Sequence, residues 1–523
     1  MASLAGQEMV LKQINKEEST DSKESKKEFS LLSICAVGIV TGNTWSALGS
    51  SIVVAIFNGG APGIIFEFIA VSIFYGFVAT SIAELASSIP SSAGIYHWAS
   101  VTPGPRYGRI FGWFAGWWNT SAWICATASV SSIFGQMAVT LYSMYHPDYV
   151  MQRWHIVLGY QIATWLSVGF VLFADKVLPL ISNIGLFSIL IGVTTSVLVC
   201  LVMPTQTDTG FASSAFVWEN WINNTGFESN TFVFLMGMIN GAFAVGGVDV
   251  VSHIAEEIPD PKRNIPLAMA AAGVFGFITG LGYLITILYA ISDIEAVLST
   301  PYMPIMVIYL QATSSKLITV LLLMLIIIPG FCTSIGINIT AGRSVWAMAR
   351  DGAVPCSDYL GTISPRYKNP FNATLFCGYC TSILGVIYLV SNQAFNAFVG
   401  SFIVLSTLSY ITAILPFTLT GRFSNTKKNN MVPGSFEMGP TIGYMVNIVS
   451  CLYMAVSIII YCFPSTKTFT LSTMNYTSVI VGLVTLCATI LWLIKGSTYI
   501  GPQGFEEAGL SPSSSIDEKE LKN

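Results

Sequence analysis

The chain has 523 residues, 53% of them hydrophobic and only 10% charged, against about a quarter charged in a soluble globular protein. Its 23 Lys and Arg are set against 27 Asp and Glu, and its mean hydropathy is +0.66. This composition excludes a soluble enzyme, a disordered chain and a nucleic-acid binder, which needs a clustered basic surface. What remains is an all-α polytopic membrane protein.

The first 28 residues are polar and carry Lys12, Lys16, Lys23, Lys26 and Lys27. Without an apolar h-region they read as a cytosolic tail, not a signal peptide. A membrane helix needs about 20 mostly apolar residues. Twelve such stretches follow, near 30–57, 63–88, 109–143, 154–174, 177–203, 229–255, 265–292, 317–345, 372–390, 396–421, 438–462 and 475–495. Unbroken apolar runs such as 321–328 do not alternate as the strands of a membrane barrel must. The segment 496–523 is polar and Ser-rich, and reads as a second cytosolic tail in which Lys519 and Lys522 are solvated or open to modification.

Basic residues set the orientation, because loops on the cytoplasmic side keep the excess of Lys and Arg. With the N-terminus inside and twelve spans, the inner side holds the five N-terminal lysines, Arg106, Arg109, Lys176, Lys262, Arg263, Arg343, Arg350, Arg366, Lys368, Arg422, Lys427, Lys428, Lys495, Lys519 and Lys522. Only Arg153, Lys316 and Lys467 fall outside, 3 of the 23. Both termini are therefore expected in the cytosol. Of the Asn-x-Ser/Thr sequons, Asn223 and Asn475 fall on the outer side. Cys377-x-x-Cys380 lies in an apolar span without metal-ligand company, so no metal or cofactor is expected.

Two spans carry residues that ill suit a continuous helix. The first contains Thr41, Gly42, Asn43, Thr44, Trp45 and Ser46 at mid-depth; the sixth contains Phe243, Val245, the pair Gly246-Gly247, and Asp249. Glycine pairs favour unwinding. Interruptions at matching places in two groups of five spans point to a binding site between inverted repeats. The expected organisation is a tail (1–28), a first repeat of spans 1–5 (29–208), a second of spans 6–10 (209–423), spans 11–12 (424–495) and a tail (496–523). The half-helices that start at the breaks present unpaired N–H groups suited to a carboxylate, and the halves that end there present carbonyls suited to an ammonium. Trp45 and Phe243 adjoin the breaks and could hold a quaternary ammonium by cation–π contact; Trp123 and its neighbours read more simply as packing. The ionisable groups within the spans are Glu67 near an outer end, where it could reach water, Glu84 near an inner end, and Asp249. The eleven residues from Thr41 to Ser46 and Phe243, Val245, Gly246, Gly247 and Asp249 form the candidate substrate site. His253, one turn beyond Asp249, reads first as a satisfied structural histidine, with a proton relay as the alternative.

The run Phe243–Glu257 with Pro259–Pro266, the run Ala83–Pro90 with Ser92–Trp98, and the run from Ala341-Gly342-Arg343 through Ala347–Pro355 together resemble permeases of the amino acid–polyamine–organocation superfamily. The likeness covers about 29–495. Asn43-Thr44-Trp45, Arg153-Trp154-His155 and Trp221–Gly226 resemble the fungal choline, GABA and amino acid permease branch. The resemblance implies a 5+5 inverted repeat with broken spans 1 and 6, alternating access, and import of a small amine or amino acid, usually with protons. It also implies that Glu84, Arg343 and Arg350 are inner-side structural or gating residues. Some members carry a coupling Lys within span 5; here Lys176 stands only at its start, and the interior offers Ser182, Asn183 and Ser188. An exchanger or facilitator, and a non-transporting sensor, remain open at this stage.

Overall fold

The computed structural model describes residues 30–52, 58–146, 148–174, 178–207, 209–300, 303–389, 393–424, 431–470 and 474–502. The N-terminal lysines, Lys176, Lys427, Lys428, Lys519 and Lys522 lie outside the described residues. Twelve helices are long and apolar enough to cross a membrane: span 1 Leu31–Ser50, span 2 Gly60–Ser88, span 3 Gly108–Tyr145, span 4 Arg153–Phe173, span 5 Leu178–Gln206, span 6 Asn230–Glu257, span 7 Pro261–Tyr289, span 8 Lys316–Arg350, span 9 Phe371–Leu389, span 10 Ala394–Leu419, span 11 Pro440–Ile460 and span 12 Thr477–Lys495. Each falls within a few residues of its expected position, because apolar length and the need to satisfy every backbone group inside lipid leave helices as the only open-ended solution.

Side-chain distribution is inverted relative to a soluble protein. Leu158, Ile162 and Leu166 stand one helical turn apart on span 4, each more than half exposed, and form a lipid-facing ridge. The interior holds the small hydroxyls. Thr127, Ser129 and Ser132 of span 3 return their hydroxyl hydrogens to the carbonyls of Trp123, Cys125 and Ala128 at 2.7–3.0 Å. This satisfies them without water and lets neighbouring helices approach closely.

The packing repeats with a step of five. Span 2 packs on span 6, and span 7 on span 1; span 3 packs on span 4, and span 8 on span 9; span 3 packs on span 10, and span 8 on span 5. Spans 2 and 7, and spans 3 and 8, pair with each other. Spans 11 and 12 lie outside this scheme, against span 10. On the side where span 1 ends, the segment Asn58–Gly59 pairs antiparallel with Ile222–Asn223, Asn58 opposite Asn223 and Gly59 opposite Ile222. The Asn223 side-chain amide donates to Phe227 O at 2.8 Å, and that of Asn475 to Tyr461 O and Phe463 O at 3.0 and 2.8 Å.

Candidate functional site

In span 1 the helix Leu31–Gly42 ends at Asn43, whose backbone is left-handed (φ 38°, ψ 49°), and a new helix, Thr44–Ser50, starts at once. Asparagine is among the few non-glycine residues that take this conformation readily. In span 6 the helix Asn230–Val245 stops at Gly246-Gly247 and the chain resumes as Val250–Glu257. This second half is a 3₁₀ helix, tighter than the α-helical half expected from sequence. Ser252 explains it in part: its N–H and its hydroxyl both reach back to Asp249 O, at 3.0 and 2.6 Å, which closes a three-residue step. The two breaks are bonded to each other. Thr44 Oγ1 donates to Ala244 O at 3.2 Å, and Ser51 Oγ meets Asn240 Oδ1.

A cavity of about 60 Å³ lies between the breaks and spans 3, 8 and 10. Thr41, Gly42, Asn43 and Ser46 line it from span 1, Phe243 and Gly247 from span 6, Trp123 and Phe134 from span 3, Thr333 from span 8 and Phe402 from span 10. Among the described residues no acidic or basic side chain lines it. Trp123 and Phe402 have ring centroids 5.6 Å apart, and Phe243 and Phe402 6.2 Å apart. Two polar atoms of the lining residues are buried with no partner among the described residues: Asn43 Oδ1, an acceptor, and Trp123 Nε1, a donor. Buried polar atoms are normally satisfied.

The remaining sequence-predicted residues fall elsewhere. Thr44, Trp45 and Val245 line a larger recess of about 960 Å³ on the other side of the breaks, among Ile73, Val274 and Ile278, which are 55–64% exposed. Trp45 is fully buried, with its ring edge-to-face on Tyr283 at 5.2 Å, so it braces the break without lining the smaller cavity. Gly246 lines neither space, and its carbonyl lies 3.1 Å from the Tyr410 hydroxyl. Asp249 is fully buried and does not line the cavity. Its carboxylate is 2.9 Å from Asn119 Nδ2, 2.6 Å from the Tyr410 hydroxyl and 3.1 Å from His253 Nε2.

The other charged groups act at the edges. Glu84 and Arg422 form a buried ion pair at 2.6 Å, and Glu84 also accepts from the Met438 N–H at 2.8 Å. Arg343 pairs with Glu257 and donates to His253 O at 3.2 Å. Arg350 lies over the Trp346 ring at 5.0 Å. Glu67 departs from expectation. It does not reach water: it is 1% exposed, and neither carboxylate oxygen has a partner among the described residues. The helix turns it inward against span 6, where a Cβ on Gly237 would collide with its carboxylate.

Sequence reasoning missed Trp123, Phe134, Thr333 and Phe402 as cavity residues. The available signal was the setting of Trp123, a large ring in a stretch of span 3 rich in Ala, Ser, Thr and Cys.

Two facing broken spans around a cavity that no charged side chain lines among the described residues, within twelve membrane helices, define a carrier for a small organic solute. The amino acid permease family profile matches residues 29–486, and the chain belongs to this family of the amino acid–polyamine–organocation superfamily. It is 30% identical to the choline transporter of Saccharomyces cerevisiae over 90% of this chain and 82% of that protein. It is 23% identical to the 7-keto 8-aminopelargonic acid transporter of the same yeast, over 89% of this chain and 92% of that one. With the amino-acid permease BAT1 of Arabidopsis thaliana the identity is 25%, over 92% and 94%. The protein is an integral, multi-pass transporter of small organic substrates.

Proposed function

We propose that this permease imports a small amine, choline foremost, together with protons across the plasma membrane, with both termini in the cytosol. One observation carries the choice of substrate. Among the described residues the cavity is lined by no charged side chain and by the aromatic residues Trp123, Phe134, Phe243 and Phe402, and two of its lining residues carry buried polar atoms with no partner there, Asn43 Oδ1 and Trp123 Nε1. A quaternary ammonium binds aromatic faces, and a hydroxyl both donates and accepts. The likeness to a protein named choline transporter supports the same reading. Thr41, Gly42, Asn43, Ser46, Phe243 and Gly247 contact the solute in this scheme. Thr44, Trp45, Val245 and Gly246 hold the breaks in shape, and Asp249 acts from outside the cavity lining. Residues 29–208 and 209–423 are the two repeats that rock about the cavity, and 424–495 braces them.

A second reading, GABA or a neutral amino acid, is favoured by the half-helix starting at Thr44, whose first N–H groups have no acceptor within the helix and suit a carboxylate. Uptake of labelled choline, GABA and neutral amino acids separates the two, in yeast lacking its own permeases, at two external pH values with and without a protonophore. Choline uptake that falls with protonophore supports the proposal. Uptake insensitive to protonophore but stimulated by internal substrate makes the protein an exchanger. No uptake of any compound, with the protein at the cell surface, turns the reading toward a sensor.

A further inference from the structure

The Asp249–His253 pair has a hydrogen-bond pattern that fixes its proton content. His253 is 1% exposed and Asp249 is fully buried. His253 Nδ1 lies 3.2 Å from Ser92 O and 3.4 Å from Ser344 Oγ. A carbonyl oxygen only accepts. The Ser344 hydroxyl already gives its hydrogen to Thr340 O at 2.8 Å, so it too offers only lone pairs. Nδ1 therefore carries a hydrogen. Nε2 faces Asp249 Oδ2 at 3.1 Å, and a hydrogen must lie between these two atoms. The pair is then either an imidazolium with a carboxylate or a neutral imidazole with a carboxylic acid. Both have a net charge of zero, and both hold one proton more than a neutral imidazole beside a carboxylate. In that depleted state one of the two contacts sets lone pair against lone pair and has to open.

We infer that this pair is the permease's proton-binding site, an inference that rests on the proton-coupled reading above. Intramembrane ionisable groups that face the bundle interior mark such relays. The pair is connected to the substrate cavity on one side and to the inner closure on the other. Trp123, which lines the cavity, has its ring 6.2 Å from that of His253. Tyr410 bridges Asp249 and the Gly246 carbonyl at the break. On the other side, the His253–Ser92 contact ties span 6 to the segment that follows span 2. The facing groups from each packed element are few. Tyr75 comes from span 2, with its hydroxyl buried. Asn119 and Trp123 come from span 3, Arg343 and Ser344 from span 8, and Tyr410 from span 10. On the same element, Glu257 is paired to Arg343, and Glu256 is bonded by the Ser92 hydroxyl. When the proton leaves to cytosolic water, the pair goes from net zero to −1. The His253–Ser92 tie or the His253–Asp249 tie then breaks, and the inner side is released. A proton from the outer side restores both.

The test uses the full-length chain in proteoliposomes with labelled choline outside and a pH dye inside. Wild type accumulates choline under an inward proton gradient and acidifies the lumen. His253→Gln and Asp249→Asn are expected to lose accumulation tenfold or more, lose the dye signal, and exchange choline at a rate that no longer changes between pH 5 and pH 8. Wild type that carries choline without moving protons overturns both the coupled reading and this inference. Coupled wild type with coupled variants overturns this inference alone, as does loss of exchange in both variants, which makes the pair merely structural. A readout free of substrate is nitrogen NMR of the ¹⁵N-histidine-labelled protein, whose four histidines give few signals. The signal missing from His253→Gln should show a hydrogen on Nδ1 at pH 6, and an Nδ1 without hydrogen sinks the inference.

Discussion

A Cβ on Gly246 would lie 2.5 Å from Ala242 O and 3.5 Å from the Tyr75 hydroxyl, so any side chain there forces the break to move. Gly246→Leu is expected to cut substrate uptake at least tenfold while surface labelling matches wild type; normal uptake by this variant would remove the span 6 break from the mechanism. Gly246, Asn43 and Gly247 were legible in the sequence because residues that abandon helical geometry stand out within an apolar run. The bearing of Asp249 was not. Its position beside the break was readable, but its side chain points to Asn119 and Tyr410, which are 130 and 161 residues away in the chain. Local spacing carries no information about pairings at that range. Trp123 shows the same limit, since an aromatic that packs and one that walls a cavity have the same local pattern.

At the scale of elements, the twelve spans were readable almost to their ends, because hydropathy reports directly on the solvent a segment meets. The ties between them were not. Glu84 at the end of span 2 joins Arg422, just past span 10, and the Met438 N–H ahead of span 11. This single carboxylate pins three segments. Both partners are almost wholly buried, at 0% and 4% exposure. Removing one partner of such a pair leaves a buried charge uncompensated, at about 3–5 kcal/mol. Arg422→Ala should therefore melt well below wild type in detergent. Glu84→Gln combined with Arg422→Met should recover part of the loss, because two neutral groups remove the stranded charge. An Arg422→Ala protein as stable as wild type would show that the pair contributes nothing net.

For the molecule as a whole, stability should depend on pH through His97, in the short helix Ile95–Val101 that follows span 2. Burial, and then the Arg350 guanidinium, push its imidazole from 6.5 down to about 4. The unfolded chain thus binds a proton between those two values that the folded chain does not. Stability is full above pH 6.5 and is lost as pH falls toward 4, by up to about 3 kcal/mol at 1.36 kcal/mol per pH unit. The melting temperature should fall between pH 7 and pH 5, and less so in His97→Gln; an identical fall in both proteins would show that other groups govern it. The charge bias that oriented the chain in the sequence is a property of the whole loop set and needed no contacts. The step-of-five packing, by contrast, shows only in three dimensions, because two repeats of opposite direction need share little beyond their breaks.

The short ladder between Asn58–Gly59 and Ile222–Asn223 joins the strand of chain leaving the first broken span to the strand approaching the second. Gly59 is in a left-handed conformation (φ 109°), and a Cβ there would strike the Trp221 ring at 2.7 Å, so the two segments interlock tightly. Lys467 N–H adds a third segment, from between spans 11 and 12, through Thr225 O at 2.8 Å. In mechanical terms this is a coupling rod: the ends of the two broken helices on this side are tied to each other, so a movement that begins at either one is expected to carry the other with it.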